Sequence, residues 1–147
     1  MTLSAEDRLA IQDLYTRYFW SIDTGDVEAW VSTFAVDGVN EHPTHVVSGH
    51  EALRTWVKAR FLFRETEPTI GQHWITNLEL EGDAPSVRAR CYFMRVVTTR
   101  ETGAVQIGGS GWYRDEIRKL NGRWAFQHRT VFLRQMPWIP QKAPAAS

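Results

Sequence analysis

Apolar residues early in the chain recur at three- and four-residue intervals, through Ile11, Leu14, Tyr15, Tyr18, Phe19 and Ile22. That is the stripe one buried helix face requires. Ser4 with Asp7 three positions on supplies an N-cap and an acidic first turn, so the spacing predicts a helix from about 5 to 23. Thr24-Gly25-Asp26 then reads as a stop and a restart. Gly25 can take the left-handed cap conformation, and Asp26 can cap a short helix carrying Trp30, Val31 and Phe34. Short extended pieces around 38–40 and 45–47 lead to Ser48-Gly49-His50-Glu51. This capping-box pattern predicts a third helix through Leu53, Trp56, Val57 and Phe61, with Pro68 marking its exit.

From Ile70 onward the period becomes two. Four extended runs are predicted, roughly 70–80, 85–99, 104–118 and 123–134, with reversals at Glu81-Gly82-Asp83, Glu101-Thr102-Gly103 and Asn121-Gly122. Asn-Gly between apolar alternations is the strongest of these hairpin signals. Helices followed by an antiparallel meander predict one α+β domain over 1–147, with a core of about 5–134 and a loosely held tail after Pro137. Faces are harder to assign. In the first long run Gly71, His73, Ile75 and Asn77 oppose Gln72, Trp74, Thr76, Leu78 and Leu80, and hydrophobicity alone does not choose between the two sides.

Composition narrows the function classes. The 147 residues are 43% hydrophobic, with 17 acidic and 17 basic side chains and formal net charge zero. The chain therefore has no electrostatic footprint for a nucleic-acid backbone or an anionic membrane, and neutral partners are expected. Cys91 is the one cysteine, so no internal disulfide forms. No signal-like segment or membrane span is read, and the cytoplasm is the expected compartment. Seven tryptophans, four tyrosines and seven phenylalanines suit a thick core or a flat apolar ligand.

The chemistry centres on Asp23 and His73. A carboxylate at a helix C-terminus is disfavoured by roughly 0.3 to 1 kcal/mol unless it is paired, and a strand histidine held by a carboxylate is a proton-abstracting device. Arg129 shares a side with Val131 and Leu133. If that side faces the helices its guanidinium needs an anionic or polar partner; the alternative is an ion pair on the outer face. Glu41, His42, His45 and His50 lack a zinc spacing, so no metal is expected. Gly108, Gly109 and Gly111 sit inside a run with no following helix or lysine, which excludes a phosphate loop and favours a bulge or bend that enlarges a cavity.

Ala10-Ile11-Gln12-Asp13-Leu14-Tyr15, Ile22-Asp23-Thr24-Gly25-Asp26, His73 with Thr76-Asn77-Leu78, Ile107-Gly108-Gly109 and Gly122-Arg123-Trp124-Ala125-Phe126 together resemble the SnoaL-like branch of the NTF2-like superfamily, over about 5–134. The resemblance implies a cone-shaped α+β fold, three N-terminal helices packed in a curved, mostly antiparallel sheet, and a homo-oligomer, trimer or dimer. Asp23 and His73 are similar to the dyad of scytalone dehydratase, hexachlorocyclohexane dehydrochlorinase and bile-acid 7α-dehydratase. Arg129 falls where the latter two place a pocket arginine. Tyr18 falls where bile-acid dehydratase has a tyrosine and dehydrochlorinase a lysine. Scytalone dehydratase has a second pocket histidine where this chain carries Gly108, Gly109, Ser110 and Gly111, which argues against scytalone as substrate.

The combined expectation is a lyase without cofactor, a dehydratase or dehydrohalogenase acting on an apolar cyclic small molecule. Asp23, His73 and Arg129 would be catalytic, and Tyr18, Phe19, Trp20, Ile75, Ile107 and Val131 would contact substrate. An isomerase or cyclase, and a non-catalytic hydrophobic-ligand-binding or structural subunit, remain open at this stage.

Overall fold

A computed structural model describes residues 3–134, so the predicted tail lies outside the described residues. Helix α1 (Ala5–Thr24) begins where the Ser4 hydroxyl oxygen accepts from the Asp7 amide at 3.1 Å, and it ends at Gly25, φ 82°. Helix α2 (Val27–Val31) is capped by the Asp26 carboxylate, which accepts from the Ala29 amide at 3.0 Å. Then follow β1 (Phe34–His42), β2 (His45–Ser48), α3 (His50–Phe61), β3 (Thr69–Asp83), β4 (Ser86–Thr99), β5 (Val105–Leu120) and β6 (Arg123–Arg134).

The helical part differs from three comparable packed helices. Among the described residues it consists of one helix of 20 residues with two shorter ones of 5 and 12. Phe34, expected on the second helix, opens β1 instead. The predicted capping box at α3 also fails. Ser48 is held in the ladder opposite Val39, and the cap falls on Gly49, whose φ of 82° and ψ of 152° only glycine adopts readily. Among the described residues no side chain caps that helix.

The six strands form one curved sheet in the order β2-β1-β6-β5-β4-β3, antiparallel throughout except for the parallel β1–β6 pair. Asn121 (φ 49°) and Gly122 (φ 78°) make the β5–β6 reversal, the geometry a two-residue hairpin needs. The β3–β4 turn is Ala84-Pro85, beyond the predicted Glu81-Gly82-Asp83, because Asp83 still pairs with Ser86. On the concave side Ile11, Leu14, Tyr15, Tyr18 and Phe19 of α1 join Val87, Cys91, Phe93, Tyr113, Ile117 and Phe126 of the sheet in one core. Each large apolar side chain so buried contributes about 1.5 to 3 kcal/mol.

Bulges in β3, β5 and β6 decide which of their residues face that core. Between Thr76 and Glu79 β3 carries one residue more than β4, and Asn77 absorbs it at φ 56°. Upstream, Gly71, His73 and Ile75 turn inward; downstream, Leu78 and Leu80 do. The bulge removes the ambiguity left by simple alternation, since Trp74 and Leu78 need not share a face. Gly108 is the extra residue of β5 and Gln127 that of β6, so Trp124 and Phe126 point inward and, one step out of phase, so do Arg129 and Val131. The glycines do not widen a cavity in the way expected. A β-carbon at Gly108 would overlap Val97, and one at Gly111 would overlap the Phe132 carbonyl; Gly109 alone faces open space. Among the described residues no helix is long and apolar enough to cross a membrane.

Candidate active site

Asp23 stands in the last turn of α1, and His73 projects from the inward phase of β3. Their side chains meet with His73 Nδ1 2.6 Å from Asp23 Oδ1, each 17% exposed. The second carboxylate oxygen, Oδ2, accepts from the backbone N–H of His73 at 2.8 Å. Both oxygens thus lie against one residue, which fixes the carboxylate and sets the ring plane. An ionised carboxylate only accepts, so Nδ1 carries the proton in the neutral ring and Nε2 keeps its lone pair. Phe19, one turn before Asp23, stacks on the imidazole at 5.9 Å between centroids and 27° between planes.

The end of α1 is also held electrostatically. Arg64 donates to the carbonyl of Ile22 at 3.3 Å and to that of Asp23. A cation there satisfies helix-end carbonyls and complements the macrodipole, offsetting the unfavourable position of the Asp23 carboxylate. Beside the dyad opens a cleft of about 100 Å³, with Ile22, Phe61 and Gly71 in its wall and Arg60, Arg64, Arg95 and Arg100 among its cations.

Deeper in the concave face lies Arg129, fully buried. The outer-face alternative is therefore overturned: the Gln127 bulge turns Arg129 toward the helices. Its partner is Asp115 of β5, through Nε to Oδ1 and Nη2 to Oδ2, both 2.8 Å. Tyr15 donates its hydroxyl to the same carboxylate. Tyr18, Tyr113 and Phe126 surround the guanidinium with ring centroids 4.0 to 4.3 Å from its carbon. Burial lowers the pKa of Arg129, but the Asp115 charge and hydrogen bonds outweigh it, leaving the guanidinium well above its ordinary value. Of the three guanidinium nitrogens of Arg129, Nη1 is buried and has no hydrogen-bond partner among the described residues. Burial, followed by the Asp115 charge, raises the Tyr15 hydroxyl well above the ordinary tyrosine value.

The expected substrate contacts divide. Tyr18, Phe19 and Val131 are buried on the concave side with Arg129, and Ile75 is half-buried beside them. Trp20 and Ile107 are 69% and 68% exposed. Trp20 lies on the solvent side of α1, and the Gly108 bulge turns Ile107 to the outer sheet face, so neither belongs to the wall around the dyad. The histidines near β2 scatter among partners. His42 and His45 stack at 4.6 Å, His50 bonds the Phe34 carbonyl at 2.9 Å, and Glu41 holds His128 at 2.7 Å. Among the described residues no group of three or more potential ligands could hold a metal ion.

Sequence reasoning missed Asp115, Arg95 and the cleft arginines. A signal existed for Asp115. It shares the inward phase of β5 with Tyr113 and Ile117, and an inward arginine on the next strand calls for such an acid. Arg95 gave none without the register of β4.

Comparison with known proteins agrees with this architecture. A cystatin-like-fold protein of unknown function from Nostoc punctiforme superposes with TM-score 0.78 at 29% identity, covering 92% of this chain and 97% of the other. A function-unknown protein of Mycobacterium tuberculosis gives TM-score 0.72 at 32% identity, covering 88% of this chain and 73% of that one. A putative scytalone dehydratase from Novosphingobium aromaticivorans shares the fold, with TM-score 0.73 at 18% identity and coverage of 87% and 84%. Among curated proteins, none matches the sequence. The SnoaL-like domain matches residues 3–130, and with the curved sheet and its helices in place the chain belongs to the SnoaL-like domain family.

Proposed function

We propose that the protein is a cofactor-independent lyase that eliminates water or halide from a cyclic small molecule, with Asp23 and His73 as its general-base dyad. The observation that carries this reading is the doubly anchored carboxylate, 2.6 Å from Nδ1 and 2.8 Å from the amide of the same histidine. It leaves Nε2 as the free base. In the proposed step Nε2 takes a proton from carbon, the C–H electron pair becomes the new double bond, and the leaving group departs with its bonding pair. For a hydroxyl, the imidazolium returns the proton and water leaves; for a halide, the proton passes to solvent. Asp23 stabilises the imidazolium between these events, and such positioned base catalysis is worth roughly 10² to 10⁴ in rate.

Arg129 takes a different part from the one expected. Its two-pronged contact is occupied by Asp115, and Nη1 is buried away from the residues that line the cleft beside the dyad. Its first role is to hold the aromatic floor together. The scytalone dehydratase-like neighbour in fold is consistent with elimination chemistry. The test is mass spectrometry on a panel of cyclic alcohols and halides: loss of water or hydrogen halide is expected, and its disappearance in His73→Ala. Turnover without a change of mass would replace elimination by isomerisation or cyclisation. Ligand binding unaffected by His73→Ala, with no turnover, would make the protein a binding module.

A further inference from the structure

The chain has no net charge, yet its cleft does. Around the dyad stand Arg60, Arg64, Arg95 and Arg100, against the carboxylates of Asp23 and Glu67. Both oxygens of Asp23 are engaged by His73. Two of the arginines are occupied on backbone: Arg64 on the carbonyls of Ile22 and Asp23, Arg100 on those of Glu67 and Arg64. The other two are not. Arg60 lies over the Trp56 ring at 5.9 Å, and neither it nor Arg95 has a hydrogen bond or ion pair among the described residues, Glu67 included.

Arg95 is the more telling. It is the direct cross-strand partner of His73, in the same inward phase, and half-buried. Its guanidinium lies flat over Gly71, where a β-carbon would come within 2.6 Å of Nε and Nη2 and 2.8 Å of the central carbon. The missing side chain at position 71 makes room for this cation two residues from the base. A half-buried guanidinium without a carboxylate leaves a planar, two-pronged donor free for an oxyanion. The cleft, at about 100 Å³, is smaller than the roughly 300 Å³ at which drug-sized pockets begin. It suits a head group and not a whole ring system.

We infer that the substrate carries an acidic group, a carboxylate or phosphate, which Arg95 binds with help from Arg60 beside His73. This replaces the neutral partner expected from net charge. The inference rests on the lyase reading only for the position of the reacting carbon, because recognition of the anion needs no turnover.

The experiment is equilibrium binding of 2-naphthoate, 2-naphthyl phosphate and neutral 2-naphthamide to the full chain at one pH and low salt. One charge-assisted, two-pronged contact should favour an anion over the amide by about tenfold or more. The favoured anion identifies the acid class. Arg95→Gln should abolish the preference, and Arg60→Gln should reduce it. Gly71→Ala keeps every charge but displaces the flexible guanidinium, so it should also weaken anion binding. His73→Ala should retain the preference, which separates this test from the lyase test. Equal affinity for all three probes, no binding of any of them, or a preference that survives Arg95→Gln would overturn the proposal.

Discussion

Two histidine–carboxylate pairs of nearly equal length sit on opposite faces of the sheet. Inside, His73 meets Asp23 at 2.6 Å, with both side chains 17% exposed. Outside, His128 meets Glu41 at 2.7 Å, with 37% and 44% exposed. Separation alone would rank them together. The inner pair differs in three ways: its carboxylate is also held by a backbone N–H, an aromatic ring packs on its imidazole, and a cleft opens beside it. The outer pair binds through Nε2, and among the described residues its carboxylate has one further hydrogen bond, from the Thr130 hydroxyl at 3.4 Å. Water screens that pair and competes for it. The same contrast separates Arg129–Asp115, fully buried, from Arg88–Glu81, whose side chains are 70% and 73% exposed. A charged pair gains chemical or structural weight from what excludes water around it, more than from its length.

The largest expected effect sharpens the contrast between the histidines. His73→Ala should lower turnover by about 10² to 10⁴, and His128→Ala should leave it within experimental error. Asp23→Asn should approach the His73 loss, with a double variant no worse than the more damaging single one, since the two act as a unit. Steady-state kinetics on the first substrate found checks all four proteins. Loss of turnover in His128→Ala would break the comparison.

Next comes stability. Removing one partner of a buried pair leaves the other charge uncompensated, so Asp115→Ala should cost about 3 to 5 kcal/mol in denaturant unfolding. Arg129→Lys should also destabilise, because lysine cannot supply both hydrogen bonds to Asp115. Glu81→Ala, on the outer face, should change stability by less than about 1 kcal/mol. Equal costs for Asp115→Ala and Glu81→Ala would refute the view that burial sets the weight of these pairs.

The smallest expected effect concerns acid stability at the start of α1. Hydrogen bonds from Lys119 and from Trp124 hold the Asp7 carboxyl below its ordinary value. A carboxyl whose folded pKa is depressed contributes stability that is present above its unfolded pKa and lost as pH falls through the folded pKa. Asp7→Asn should therefore flatten the acid limb of a melting-temperature profile, while Glu81→Gln should leave that limb nearly unchanged. An acid limb identical in wild type and Asp7→Asn would exclude Asp7 as its source.

Much of this was legible in the chain. The helical stripe, the Gly25 stop and the Asn121-Gly122 hairpin are local signals, and local rules decide them. Asp23 and His73 could be named because one residue stands at a helix end, the other lies mid-strand, and both fall in segments that resemble the family. The faces were not legible, since each bulge shifts the phase of everything beyond it: the glycines around position 108 pointed to one such place without fixing its register, and Asn77 and Gln127 gave no signal. Trp20 and Ile107 were misplaced for related reasons, one by its angle round a helix and the other by the Gly108 bulge. Arg95 escaped notice because its meaning depends on its neighbour across the ladder, a relation that periodicity does not carry.

The Asn77 bulge has a further consequence. It divides β3 into a wet end and a dry end that obey opposite parity. At the wet end, odd-numbered positions present Gly71 and His73 to the cleft; at the dry end, even-numbered Leu78 and Leu80 pack on the core. Chemistry and packing thus occupy one continuous strand without competing for the same positions. Substrate preference can drift at the cleft positions of β3 around His73, such as Thr69 and Ile70, while the leucines beyond the bulge keep the sheet seated on its helices.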